Sequence, residues 1–148
     1  MKTRSLLFVM ALSLAPLAAC GGMPPAKAMA ELHNPSPKVR QSAADSLRGP
    51  KTPPEAVPAL LEAVKTEQDL KAKAAMMISL GDSGAPEAKA LIDDYVQKAS
   101  NHDEQKYAGR ALKYWMIKTG QLAKDYKFPE GWPYGQPGYP APLAPEGK

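Results

Sequence analysis

The sequence predicts an all-α fold: a short α-solenoid of about five helices, followed by an extended or disordered tail rich in proline and aromatic residues. Three observations carry this prediction. Apolar residues recur at helical spacing between Pro25 and Gly120. The pattern repeats with a period of 32 to 33 residues. From Lys124 onward, proline, glycine and aromatic residues alternate. The chain therefore divides into residues 1–19, a signal peptide; 20–24, a short linker; 25–122, the repeat domain; and 123–148, the tail.

The elements follow in order. Pro25 opens a short helix reaching His33, with Ala28 and Leu32 four apart on one face. Ser36 is a good N-cap type, and Pro37 suits the first helical position because the N–H that it lacks has no partner there. Val39, Ala43 and Leu47 form the apolar stripe of this helix, and Gly49-Pro50 stops it. Thr52-Pro53-Pro54-Glu55 has the spacing of a capping box ahead of Val57, Leu60, Leu61 and Val64. Asp69 caps the next helix, which carries Ala72, Met76, Met77 and Leu80 and is expected to stop at Gly81. Pro86 opens a helix with Leu91, Ile92, Tyr95 and Val96. Asn101-His102-Asp103-Glu104 has capping-box spacing and begins a longer helix through Ala108, Ala111, Leu112, Trp115 and Met116, ending near Gly120.

The repeat is visible in matched residues. Pro54–Val64 (PEAVPALLEAV) and Pro86–Val96 (PEAKALIDDYV) are 32 apart. Leu47, Leu80 and Leu112 recur, each preceded by Ala43, Met76 and Ala108 four residues earlier and by Ser36, Asp69 and Asn101 eleven residues earlier. The unit is a helix–turn–helix in roughly two and a half copies. Val39-Arg40, Ala43-Ala44 and Leu47, echoed at Ala72-Lys73, Met76-Met77 and Leu80-Gly81, resemble the first helix of the short bacterial HEAT-like repeats, the class that includes phycobilisome-lyase repeats. The third copy departs from the pattern at Glu104-Gln105. The resemblance implies stacked helix pairs, in which each pair buries its stripe against a neighbour. Tetratricopeptide units have a similar length, but their Trp, Gly-Tyr and terminal Pro signature is missing. The aromatics Tyr95, Tyr107, Tyr114 and Trp115 gather near the end of the domain, where bulk would close the core.

The N-terminus supplies an address. Lys2 and Arg4 precede an apolar run from Leu6 to Ala15, and Leu17-Ala18-Ala19 leads to Cys20, the only cysteine. That ending resembles the lipobox of bacterial lipoprotein precursors. The resemblance implies cleavage between Ala19 and Cys20, acylation of Cys20 (palmitate or a similar chain), and a membrane anchor. With Gly21 rather than Asp after the cysteine, it implies the outer membrane, facing the periplasm. Two or more acyl chains suffice for stable anchoring. Cleavage lowers the formal net charge from +4 to +2, which is no nucleic-acid footprint because that requires clustered cations on one face.

Little in the sequence supports catalysis. There are two histidines, His33 and His102, about two repeats apart, whereas a zinc site needs three or four convergent ligands. Asp93 and Asp94 are adjacent on a helix and so do not face each other. Gly81-Asp82-Ser83-Gly84 lacks the Lys-Ser/Thr of a phosphate loop. Met76-Met77 reads as core filler. No catalytic residue, metal or cofactor is therefore expected, and the chain is not expected to be an enzyme. The expected role is a membrane-anchored scaffold that binds another envelope protein. Lys65, Lys89 and Asp93 are its candidate interaction face by repeat analogy. Two alternatives stand beside it. One is a structural lipoprotein touching cell wall or polysaccharide through Trp132 and Tyr134 of the tail. The other is a lyase-like accessory role, implied by the repeat resemblance alone.

Overall fold

The computed structural model describes residues 22–49 and 52–125. Ala19, Cys20, Trp132 and Tyr134 lie outside the described residues, so the predicted signal, lipidation and tail sites have no structural account. Within the described residues the chain is all-helical: α1 (Pro25–Glu31), α2 (Pro37–Ser46), α3 (Ala56–Thr66), α4 (Leu70–Ser83), α5 (Lys89–Lys98) and α6 (His102–Lys118). A single 3-10 turn, Pro86–Ala88, leads into α5. The six helices of the described residues coincide with the six segments read from the sequence, the short Pro25 helix included, against the rounded count of about five.

The helices form two layers, with α2, α4 and α6 packed side by side in one and α1, α3 and α5 in the other. Direct packing joins α1 to α2, α3 to α4 and α5 to α6, across short loops. The domain is thus three complete helical hairpins rather than two and a half units. The periodicity gave the spacing, but a period carries no phase. The shorter loops, residues 67–69 and 99–101, mark the true pairs, as expected for antiparallel neighbours.

The predicted register holds in the core. Ala43, Met76 and Ala108 are fully buried, as are Leu60 and Ile92, while Ala28, Leu32, Leu47 and Leu80 are buried to within 1%. Leu112, the third member of its series, is only partly buried because α6 ends the row. Tyr95 and Trp115 are buried, and Tyr107 and Tyr114 pack against the core edge. The Trp115 Nε1–H donates to the Ala85 carbonyl at 3.0 Å, which ties α6 to the loop before α5.

Several caps differ from expectation. Asp69 behaves as predicted, with its Oδ1 accepting from the Lys71 and Ala72 amides at 3.0 Å each. Asn101 accepts from the Glu104 amide at 3.0 Å. Glu104, however, reaches one residue past the cap and accepts from the Ser100 amide and hydroxyl. Ser36 occupies its N-cap without a side-chain bond, and Asn34 Oδ1 accepts from its amide instead. Thr52 does not cap α3. Its hydroxyl donates back to the Leu47 and Gly49 carbonyls at 2.7 and 2.8 Å, satisfying the end of α2.

Gly81 is not a stop. Helix α4 runs through it to Ser83 and ends at Gly84, whose φ of 68° is the left-handed conformation that glycine adopts without a Cβ penalty. Gly81 instead lies where the backbones of α4 and α6 come too close for a side chain, since a Cβ there would lie 2.2 Å from the Ala111 carbonyl oxygen. At the far end, α6 closes in a Schellman motif. The Gln121 amide donates to Met116 O at 2.8 Å and the Gly120 amide to Ile117 O at 3.2 Å.

Candidate interaction surface

The middle helix and the end helix differ at matched positions. In α4, Ala74, Ile78 and Gly81 are buried. Their counterparts 32 residues on are Lys106, Arg110 and Lys113, of which Lys106 and Arg110 are exposed. On α2, Ala75 and Ser79 correspond to Ser42 and Ser46 at an offset of 33. The row α2–α4–α6 thus buries small and apolar groups in its centre and turns polar ones outward at both ends, as terminal repeats must to stay soluble.

The two layers also differ in charge. Residues 36–48, 69–83 and 101–118, which build the α2–α4–α6 layer, hold nine Lys and Arg against five Asp and Glu. Residues 25–33, 55–67 and 86–98, which build the other layer, hold four against seven.

At the loop edge, Arg40 of α2 acts as a clip. Its Nε and one terminal nitrogen donate to the two Glu67 carboxylate oxygens at 2.5 and 2.7 Å, and its other terminal nitrogen donates to the Asn34 and Pro35 carbonyls. Glu67 also accepts from the Asp69 amide at 2.8 Å. One guanidinium therefore joins the loop of the first hairpin to that of the second, in the bidentate geometry that favours Arg over Lys. Leu32, His33, Arg40, Ala63, Thr66, Glu67 and Gln68 line a cleft of about 250 Å³ at this edge. The equivalent residue in the second hairpin, Lys73, lies with its ammonium 5.7 Å from the Tyr95 ring centre. In the third, Gln105 donates to the Ala99 carbonyl at 3.5 Å.

The Arg40 hydrogen bonds hold the Glu67 carboxyl below its ordinary value of 4.5, against the opposing effect of burial. A carboxyl with a depressed folded pKa adds stability that is fully present above 4.5 and is lost as the pH falls below that value. Glu67→Gln should therefore melt below the wild type at pH 7, with the gap narrowing as the pH drops under 4.5. Paired melting curves across pH check this, and a gap of constant size would show that the ion pair contributes nothing. Beside Lys73, burial pushes the Tyr95 phenol up to about 12, and its hydroxyl has no hydrogen-bond partner among the described residues.

A second cluster lies on the layer of α2, α4 and α6. The guanidinium carbons of Arg48, just beyond α2, and Arg110 of α6 stand 5.1 and 5.7 Å from the Tyr114 ring centre. Arg110, then Arg48, holds the Tyr114 phenol below the usual range. Nothing in the sequence pairs these residues, because Arg48 and Tyr114 are 66 positions apart and fall at different points of the repeat.

Of the residues predicted as an interaction face, Lys89 and Asp93 are brought together on α5, and Lys65 stands on a different helix, α3. Lys65 is exposed on the last turn of α3. Lys89 and Asp93 are half-exposed on α5 and form an i,i+4 ion pair with each other. Lys89 also sits 5.3 Å from the Trp115 ring centre. This pair is engaged within α5 and α6, and α3 and α5 have little direct packing. Among the described residues no group of three or more His, Cys, Asp or Glu is placed to hold a metal ion, and no helix is long and apolar enough to cross a membrane.

Comparison with known proteins gives one match. The family described as HEAT repeats covers residues 25–113, from the start of α1 into α6. No curated protein and no solved structure matches. The family match spans more than half of the chain, and it falls on three stacked helical hairpins whose buried positions recur at the repeat period. The chain belongs to the HEAT-repeat family.

Proposed function

We propose that this protein is a lipid-anchored envelope scaffold that binds another protein through its helical-repeat surface and performs no catalysis of its own. The HEAT-repeat match over residues 25–113 carries the binding half of this reading, because stacked helical repeats present extended surfaces suited to partners. The lipobox-like Leu17-Ala18-Ala19-Cys20 carries the anchoring half. The first described residues add support. The Met23 amide donates to Ser46 Oγ at 3.1 Å, and that hydroxyl donates to Ser42 O. The chain is thus pinned to α2 three residues after Cys20. Three residues span at most about 10 Å, so an acyl chain on Cys20 would hold the solenoid against the bilayer surface.

Labelling cells with a tagged fatty acid tests the anchor. The wild type should incorporate label and sediment with membranes, while Cys20→Ser should do neither and still fold. If the Cys20→Ser protein retains full function when secreted free, the anchor serves only delivery. Label in the Cys20→Ser variant would contradict the site.

A further inference from the structure

We infer that the Arg48–Tyr114–Arg110 cluster is a docking site for a carboxylate-rich, acidic segment of the partner protein. This deepens the scaffold reading and rests on it.

Two guanidiniums converge on one phenol, where cation–π attraction offsets their mutual repulsion and an added anion would offset it further. Among the described residues neither guanidinium hydrogen-bonds a carboxylate. Arg48 has Asp45 at 3.8 Å, beyond hydrogen-bond range, and its buried Nε has no hydrogen-bond partner among the described residues. Arg110 is exposed and shows no ion pair among the described residues. Arg40 behaves differently, because its guanidinium is saturated by Glu67 and two carbonyls. Arginine forks are built for bidentate carboxylates, and an Arg–Tyr pairing is typical of the residues that carry interface energy.

The surroundings choose the partner class. The cluster sits on the cationic layer, with Lys106 exposed one turn from Arg110. That layer also carries Asp45, Asp82 and Asp103. A uniformly anionic bilayer would be repelled at those points, whereas a folded or extended peptide can place its acids at the arginines and avoid the aspartates.

The intact protein, labelled at its arginine side chains, should be titrated with a peptide of ten glutamates. A parallel titration uses vesicles of phosphatidylglycerol and phosphatidylcholine. The Nε signals of Arg48 and Arg110 should move on adding peptide. Arg48→Gln and Arg110→Gln should each weaken binding about tenfold, the scale of one charged hydrogen bond. Lys65→Gln on α3 should leave it unchanged. Arg110 is exposed, so its variant keeps the fold and the test survives if Arg48→Gln is unstable. Equal weakening by all three variants, or shifts spread over every lysine, would overturn the inference in favour of diffuse charge attraction. Vesicle binding that needs both arginines, without peptide binding, would overturn it in favour of a lipid surface. A negative titration leaves in-cell capture of a partner unaffected, so the scaffold reading and this inference fail separately.

Discussion

Gly81→Ala should destabilise the protein sharply, although helix propensity alone predicts the reverse. Alanine in a helix interior is favoured over glycine by about 0.8–1 kcal/mol, and Gly81 lies within α4. The new methyl, however, would sit 2.2 Å from the Ala111 carbonyl oxygen and 3.0 Å from its carbonyl carbon. Both are backbone atoms of α6, so no side-chain rotation relieves the contact. The two helices must move apart along the most extensive interface in the fold. Overpacking a tight core costs about 1–3 kcal/mol and occasionally more, and a backbone obstruction belongs at the upper end. The expected net loss is about 2 kcal/mol or more after the propensity gain. Denaturant titration reads it directly, and a more stable variant would mean that α4 and α6 are not in contact at Ala111. The counterparts of Gly81 in the outer hairpins are Arg48 and Lys113, so the requirement belongs to the middle helix alone.

Leu60→Ala should cost about 2–5 kcal/mol, the range for truncating a buried leucine. Leu60 has no exposed surface and sits in the hydrophobic core with Ala28, its counterpart one repeat earlier. Ile92, one repeat later, is equally buried. Small domains are stable by only about 5–15 kcal/mol, so this single change removes a large share. Leu61→Ala, next in sequence but only partly buried, should cost less. A loss under about 0.5 kcal/mol at Leu60, the range of ordinary surface substitutions, would contradict the helical register of α3.

Much of this architecture was legible because its signals are local. Offsets of four residues set the buried faces, Asp69 and Asn101 marked two helix starts, and Pro25 and Pro37 stood at first helical positions. Matched apolar residues gave the period. What escaped the sequence depended on spatial neighbours. The phase of the pairs follows from loop length and packing, so two and a half units became three hairpins. Gly81 resembles a stop until α6 is placed against it. Thr52 has capping-box spacing, yet its hydroxyl found nearer carbonyls behind it. The candidate surface shows the same limit. Lys89 and Asp93 looked available by repeat analogy, but their spacing of four is also that of an ion pair. Arg48, Arg110 and Tyr114 carried no shared motif, and only the stacking of α2, α4 and α6 brings them together. The nearest clue was the switch from Ile78 in the middle helix to Arg110 at the end of the row.

Position-resolved photocrosslinking in intact cells tests the central claim most directly. A photoreactive residue is placed in turn at Lys106, at Lys65 and at Trp132 of the full-length protein. The scaffold account predicts one defined protein adduct from Lys106, on the cationic layer, that persists when residues 124–148 are removed. Adducts confined to Trp132, consisting of cell-wall material and lost with the tail, would contradict it and assign the function to the tail.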